Sequence, residues 1–144
     1  MPPSKIQFFY LDVFPAIKNK KALKAYVELI FKKEETPVSQ VNCIFCTDAY
    51  LLSLNFHYLK HNLFTDIVTF DLSEKGGDVC GEIYISIDRV RENAAKFHIT
   101  FGKELHRVFF HGVLHLCGYN DKTNKQSRLM RKKEDFYLNR YFKS

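Results

Sequence analysis

The chain has 144 residues, of which 46% are hydrophobic, and it carries a formal net charge of +6. This length and composition predict one globular domain over residues 1–144, and they exclude a disordered or fibrous protein. No apolar run approaches the roughly 20 residues that a membrane-spanning helix needs, and residues 1–6 lack the sections of a signal peptide. We therefore expect a cytoplasmic protein with no membrane partner.

The first part of the chain alternates between extended and helical patterns. Lys5–Phe9 predicts a strand, because its apolar residues precede a polar break. Pro15 suits the first turn of a helix, where its missing N–H costs nothing, and that helix should end before Pro37. Val38–Cys46 predicts the next strand, which is apolar enough to be buried.

The middle of the chain predicts a helix and then two strands. Thr47 or Asp48 would cap the helix, and residues 57–64 would form an irregular connector. Asp66–Leu72 and Val79–Ile87 have the pattern of strands, and the glycine pair between them marks a turn that would join them in a hairpin.

The last part of the chain predicts three helices. Asp88 would cap the first and Thr100 the second, and Gly118 suits a left-handed end of the second. Asn124–Tyr141 predicts a basic final helix. The resulting order, βαβαββααα, predicts an α+β fold in which a small mixed sheet packs against helices in a single domain.

The cysteines are predicted to be free thiols, because they are scattered through a chain without an export signal. Cys43 and Cys46 have the spacing of a zinc or redox pair, but the sequence contains no second pair of this kind. Both also lie in a predicted buried strand, where cysteine acts as a small hydrophobic residue. The other two cysteines are Cys80 and Cys117.

Much of the positive charge is concentrated in Lys18–Lys24 and in Lys122–Lys143. An excess of this kind favours an acidic partner such as nucleic acid. Both segments also carry apolar residues at helical spacing, so two solvated helix faces explain the charge equally well. Composition leaves both interpretations open.

The stretch Val108–Asp121, with the sequence VFFHGVLHLCGYND, carries a candidate metal site. His111 and His115 are four residues apart in a helical pattern, so both imidazoles would lie on one face. After the helix stops at Gly118, Asp121 would bring a third donor and complete an open site for one zinc ion. Two histidines that are satisfied in the core or at the surface are the alternative.

The same stretch resembles the H-G-x-L-H-L-x-G-Y-D-H signature of the YbeY endoribonucleases, small bacterial metalloproteins of rRNA maturation. Asn55 and Tyr58 fit the N-x-x-Y-R segment of that family. Thr65–Phe70 is similar to its T-D-V-L-S-F segment, and Gly81–Ser86 to its G-D-I-x-I-S segment. The blocks occur in the family's order, and the resemblance covers about residues 40–125.

This resemblance implies a zincin-like domain with its metal on a late helix and the turn after it. It implies a single-strand-specific metallo-endoribonuclease that takes part in 16S rRNA 3′-end maturation and ribosome quality control. The implied partners are rRNA and the small ribosomal subunit, and the implied cofactor is Zn²⁺, with one ion per chain.

The sequence departs from the family pattern at several positions. Asp121 stands where the signature has its third histidine, and Asn120 where it has aspartate. A carboxylate is a competent zinc ligand, so a site of two histidines and one aspartate is chemically sound. Leu59 replaces the family's arginine, and Lys60 is a candidate substitute as a cation that contacts RNA.

The sequence leaves the catalytic groups open. Glu82 and Asp66 are weak candidates for the general base, and the favoured alternatives are a solvated strand-end residue for Glu82 and a capping or turn role for Asp66. Three protein ligands would leave a position for water, and the metal would polarise a phosphoryl oxygen, deliver hydroxide or orient a 2′-hydroxyl. Aromatic residues that would suit stacking on single-stranded RNA, or would belong to the core, are Phe56, Tyr58 and Phe64.

Two other functions compete with the endoribonuclease. One is a metallohydrolase of another substrate, such as a peptide, but Gly112 stands where zincin peptidases carry their glutamate base. The other is a ribosome-associated binding protein whose metal is structural. Four protein ligands to the metal would favour this binding protein, and an open coordination position would count against it.

Overall fold

The computed structural model describes residues 4–59 and 65–143, except for the side chains of residues 58 and 59. The order of elements is βαβαββααα, as the sequence predicts, and the α+β class is confirmed. The elements are β1 (Ile6–Tyr10), α1 (Lys20–Lys33), β2 (Val38–Cys46), α2 (Asp48–Leu59), β3 (Ile67–Asp71), β4 (Val79–Ser86), α3 (Ile87–Phe97), α4 (Phe101–Leu116) and α5 (Asn124–Lys143).

The four strands form one mixed sheet in the order β1-β2-β4-β3. Strands β1, β2 and β4 are parallel, and β3 is antiparallel to β4. The predicted hairpin is therefore confirmed, with Ile67 opposite Ile85 and Asp71 opposite Gly81. Gly76, in the turn between these strands, has a φ of +78°, a conformation that glycine adopts without strain.

The two faces of the sheet pack against different helices. Ile83 and Ile85 of β4 belong to the main core, which they share with α1, α4 and α5. Tyr84, which points the opposite way, packs with a small cluster that includes Leu51 of α2 and Val68 of β3. Neighbouring residues of a strand face opposite sides, so the parity of each β4 residue decides whether it can approach α4.

Helix α4 lies unusually close to the sheet at Gly112. A Cβ atom at this position would stand 2.8 Å from Cδ1 of Ile67 and 2.9 Å from Cγ2 of Ile83. Such contacts are too short for carbon atoms, so the glycine lets the helix backbone approach β3 and β4 directly. This contact fixes the height of α4 above the sheet, and with it the position of the two histidines beside Gly112.

Two helix starts differ from the prediction. Helix α1 begins at Lys20 and not near Pro15, because Asn19 is its cap and accepts a hydrogen bond from the Ala22 N–H at 3.1 Å. Helix α3 is capped by Ser86, whose Oγ accepts from the Arg89 N–H at 3.2 Å. The predictions for Pro15 and Asp88 were therefore wrong.

Asp88 serves the neighbouring helix instead. Its Oδ2 accepts a hydrogen bond from the backbone N–H of Asp48 at 2.8 Å, at the start of α2. Thr47, one of the two caps predicted for α2, accepts from the Tyr50 N–H at 3.1 Å. Helix α2 continues to Leu59, so the first residues of the predicted connector are helical, and residues 60–64 lie outside the described part of the chain.

The four cysteines are free, as predicted. Cys43 and Cys46 are both fully buried in β2, which agrees with their interpretation as small core residues. Burial raises the pKa of both thiols, that of Cys46 to about 12. In the part of the chain that the structure describes, none of the helices combines the length and the apolar character that crossing a bilayer requires.

Candidate metal centre

The structure brings together the three predicted ligands, His111, His115 and Asp121. The Nε2 atoms of the two histidines are 3.0 Å apart. Oδ2 of Asp121 lies 3.3 Å from Nε2 of His111 and 3.6 Å from Nε2 of His115. Ligand atoms of a tetrahedral zinc site with bonds of about 2.0–2.1 Å stand about 3.3 Å apart, so this donor set fits one such ion.

The local sequence explains why α4 presents its histidines in this way. Thr100 caps the helix as predicted, since its Oγ1 accepts a hydrogen bond from the Lys103 N–H at 3.2 Å. Gly118 follows the helix with a φ of +103°, which is the predicted left-handed end. The side chains of His111 and His115 are 21% and 27% exposed, so they lie at the edge of a mostly buried helix, where solvent can reach them.

Glu134 of α5 holds His111 from the side opposite the other ligands. Its Oε2 accepts a hydrogen bond from Nδ1 of His111 at 2.6 Å, and its Oε1 accepts from Nη1 of Arg107 at 3.1 Å. A proton on Nδ1 leaves the lone pair of Nε2 free to point at the ion, which is the usual arrangement of a metal-bound histidine. Glu134 therefore sets both the orientation of His111 and its tautomer.

Sequence reasoning missed Glu134, although one signal pointed to it. The residue is 4% exposed and lies on the buried stripe of α5, among Met130, Tyr137 and Leu138. A carboxylate at an apolar position of an amphipathic helix needs a buried partner. The identity of that partner, 23 residues earlier in the chain, was not visible in any local pattern.

The two histidines have opposite pKa shifts. Burial lowers the pKa of His111, but the hydrogen bond and the charge of Glu134 outweigh burial and raise it above its ordinary value. Burial and the neighbouring charge of His111 lower the pKa of His115. Since only a neutral imidazole ligates a metal, binding would release a proton from His111 more than from His115.

The turn that carries Asp121 is held by a different set of contacts. The hydroxyl of Tyr119 donates to Oε1 of Glu34, at the end of α1, over 2.6 Å. Glu34 also accepts hydrogen bonds from the hydroxyl of Tyr137 and, at 3.2 Å, from Nζ of Lys133. Burial raises the pKa of Glu34, but these three donors outweigh it, so the pKa is lowered.

A cavity of about 590 Å³ opens beside the ligands. The residues that line it come from the start of β3 and the residue before it, from α3, α4 and α5, and from the turn after α4; they are Asp66, Ile67, Asn93, Phe97, Glu104, Arg107, Val108, His111, Asp121, Ser127, Arg128, Met130, Arg131 and Glu134. The cavity is large enough for part of a substrate, and two of the candidate ligands form its wall.

Of the two candidate bases, the structure brings Asp66 to this cavity and keeps Glu82 away from it. Oδ2 of Asp66 accepts a hydrogen bond from the Asn93 amide at 3.3 Å, and burial raises the pKa of Asp66 despite the charge of His111. Glu82 lies on the same face of the sheet as Tyr84, which is the face that packs against α2. The hydroxyl of Tyr84 donates a hydrogen bond to Oε1 of Glu82 at 2.9 Å. The structure therefore does not bring Glu82 together with the candidate metal ligands.

Other predicted site residues fall at the edge of the described chain. Lys60 and Phe64 lie outside the described residues, as do the side chains of Tyr58 and Leu59. The proposed cation at Lys60 thus stays a prediction. Phe56 is described and is 54% exposed, so it is not a core residue.

Comparison with known proteins identifies close relatives along nearly the whole chain. The sequence model of the Endoribonuclease YbeY family matches residues 12–142. A protein of Cytophaga hutchinsonii named Endoribonuclease YbeY is 46% identical over 138 residues, which cover 96% of each chain. One of Amoebophilus asiaticus with the same name is 41% identical over 96% of this chain and 94% of its own.

A solved structure is also similar. The solution structure of a Thermotoga maritima protein is 37% identical in sequence and superimposes with a TM-score of 0.65, over 93% of this chain and 87% of that one. The α+β arrangement described above is therefore shared with an experimentally determined fold.

Proposed function

The chain belongs to the YbeY endoribonuclease family, and from this premise we propose that it cleaves phosphodiester bonds of single-stranded RNA with one metal ion held by His111, His115 and Asp121. We further propose zinc as the ion and rRNA of the small ribosomal subunit, near the 3′ end of 16S rRNA, as the substrate. The whole chain, residues 1–144, would then act as one metal-dependent hydrolase domain in the cytoplasm.

The metal site is supported mainly by the three donor atoms, which lie 3.0, 3.3 and 3.6 Å from one another. The buried Glu134 supports it further, because it accepts a hydrogen bond from Nδ1 of His111. Chance clusters of polar side chains seldom include a buried carboxylate that fixes the tautomer of a histidine. Among residues 4–59 and 65–143, the group contains three donors, which supports an open site more than a closed structural one.

The residues around the ion have separate tasks in the proposed reaction. A divalent ion held by these residues would supply Lewis acidity toward phosphate oxygens. Glu134 keeps Nε2 of His111 directed at the ion. Asp66 lines the same cavity and has a raised pKa, so we propose it as the group that accepts or returns a proton during cleavage.

The peptide hydrolase is the less favoured alternative. Peptidases of the zincin type place a glutamate base directly after the first histidine, and here that position is Gly112, which is packed against Ile67 and Ile83. The cavity lining also includes the exposed Arg128 and Arg131, which suit a phosphate-rich substrate better than an uncharged peptide bond.

Elemental analysis of purified protein tests the metal site. We expect about one ion per chain in the wild type and a sharp loss in His115→Ala, because an open site has only three protein ligands. The exposed His98 offers a control, since His98→Asn removes an imidazole that is not one of the grouped donors and should leave the metal in place. Full occupancy in Asp121→Ala would show that the proposed third ligand is wrong.

A cleavage assay on the same preparations tests the reaction. Wild-type protein is offered unstructured RNA and casein, with and without a chelator. We expect RNA cleavage that the chelator abolishes and that His115→Ala lacks. Cleavage of casein alone would overturn the endoribonuclease and favour the peptidase.

A further inference from the structure

The cavity beside the metal ligands has two walls of different chemistry. On the α5 wall, Arg128 and Arg131 are one helical turn apart and both are exposed. On the wall that α3 forms, Phe97 is the last helical residue and has 53% of its surface exposed. Cationic side chains on one side and an aromatic ring on the other are the two kinds of contact that bind single-stranded nucleic acid.

The arginines of the cavity are not equivalent. Arg107 donates to Glu134 at 3.1 Å and to Asp135 at 2.7 Å, and only 20% of its side chain is exposed. Its charge is therefore already paired with these two carboxylates. Arg131 lies 3.6 Å from Glu134 with 63% of its side chain exposed. A pair this exposed is weak, so the Arg131 guanidinium can turn to an incoming anion at little cost.

A phosphate group needs these cations, because the cavity is otherwise acidic. Four carboxylates line it, those of Asp66, Glu104, Asp121 and Glu134. Carboxylates of this number repel a phosphodiester, and a single metal ion would offset only part of their charge. The planar guanidinium groups of the α5 wall provide the additional charge, and they bind phosphate oxygens in pairs.

The second feature of the cavity is the exposed aromatic ring of Phe97. This side chain forms part of the wall of a cavity that also contains candidate metal ligands. Stacking on an aromatic ring accepts any base, because every base has a flat π face. The ring would thus hold a nucleotide without selecting a sequence.

We propose that a single RNA strand passes between these two walls, with its phosphates on Arg128 and Arg131 and one base on Phe97. This inference rests on the proposed function, and it assigns residues outside the metal ligands that bind the substrate. The groove is a binding site for the strand, and neither arginine is placed on the reacting atoms.

A binding measurement with matched variants tests the groove. The probe is a fluorescent, 2′-O-methylated single-stranded RNA of about 10 nucleotides, within the usual range of site sizes for such strands. The variant Arg128→Gln/Arg131→Gln is compared with Lys125→Gln/Lys132→Gln, which removes the same charge from exposed positions of α5 outside the cavity. The integrity of the probe is checked on a gel after each titration.

We expect the arginine variant to bind at least tenfold more weakly and the lysine variant less than threefold. The slope of log affinity against log salt should fall by about 1.4 in the arginine variant, since each lost phosphate contact removes about 0.7. Phe97→Leu should weaken binding about fivefold or more without changing this slope, whereas Phe142→Leu, another exposed ring of the chain, should leave binding unchanged.

The outcomes separate this inference from the proposed function. Equal losses in the arginine and lysine variants would overturn the groove, because general attraction would then explain binding. Loss of the metal in the arginine variant would overturn it as well. Wild-type protein that holds its metal but does not cleave RNA would overturn the proposed function. Wild-type cleavage combined with unchanged affinity of the arginine variant would overturn only the groove.

Discussion

The two parts of the metal centre are held by different kinds of structure. His111 and His115 belong to a helix pressed onto the sheet, and the buried Glu134 fixes one of them. Asp121 stands on a turn, with 41% of its side chain exposed, and its segment is tied down through Tyr119. The two histidines are therefore held by buried packing, whereas the aspartate is held by an exposed turn.

This difference predicts where the centre tolerates change. On the helix side, the ligands, their hydrogen-bond acceptor and the packing beneath them are all buried or half-buried, so a change in one disturbs the others. On the turn side, solvent surrounds the ligand, and a different donor can take its place with a small backbone movement. The variants below test this contrast, beginning with the largest expected effect.

On the helix side, Glu134→Gln should lower metal affinity about 10- to 100-fold, because the acceptor that orients His111 loses its charge. A chelator competition experiment measures the change. Asp135→Asn is the matched control, since it also removes a carboxylate that pairs with Arg107 but does not contact a histidine. Equal affinity losses in the two variants would mean that Arg107, rather than the contact with His111, matters.

On the turn side, Glu34→Gln should chiefly affect stability. It replaces the charged acceptor of three hydrogen bonds, a loss of about 1–3 kcal/mol in the free energy of unfolding, and should change metal affinity less than tenfold. Denaturant unfolding measures the first quantity and chelator competition the second. Glu35→Gln, at the exposed neighbouring position, should change neither. A larger effect on the metal than that of Glu134→Gln would reverse the comparison.

The same variant makes a prediction about pH. The pKa of Glu34 is lowered in the folded protein, so the stabilisation is present above the unfolded value of about 4.5 and is lost as pH falls through the folded pKa. The stability gap between wild type and Glu34→Gln should therefore be largest near neutral pH and should shrink in acid. A gap that is independent of pH would contradict a charged Glu34.

The smallest effect is expected for Asp121→His. The exposed turn should accommodate an imidazole, and the three histidines should still bind about one ion per chain, with an affinity within about tenfold of the wild type. Elemental analysis and chelator competition measure both quantities. Complete loss of metal would show that the turn is as rigid as the helix.

The fold could be predicted from the sequence to a considerable extent, because most of its elements depend on local patterns. The cap at Thr100 and the turn at Gly118 bound α4 as expected, and the alternation along β3 and β4 predicted their hairpin. Local patterns failed where two suitable residues competed. Ser86 and Asp88 are both good caps, and the end of β4 decided in favour of Ser86.

Only those residues of the candidate site that lie close together in the sequence could be predicted. The spacing of two histidines and the nearby Asp121 was sufficient for the donor set, whereas the groups that hold them are distant in the chain. Glu134 is 23 residues from His111, and Glu34 is 85 residues from Tyr119. The placement of Glu82 could be inferred from strand alternation, since its neighbour Ile83 faces the core and Glu82 therefore faces the opposite side of the sheet.

The contact of Gly112 with the sheet limits what this site can become in evolution. A glutamate at this position would convert the helix to the sequence pattern of a zincin peptidase, but its first side-chain atom would already overlap Ile67 and Ile83. The helix would have to move away from the sheet before the new base could be tested by selection, and that movement would displace both histidines. Packing beneath the helix therefore opposes a glutamate base at this position, whatever the chemistry of the metal.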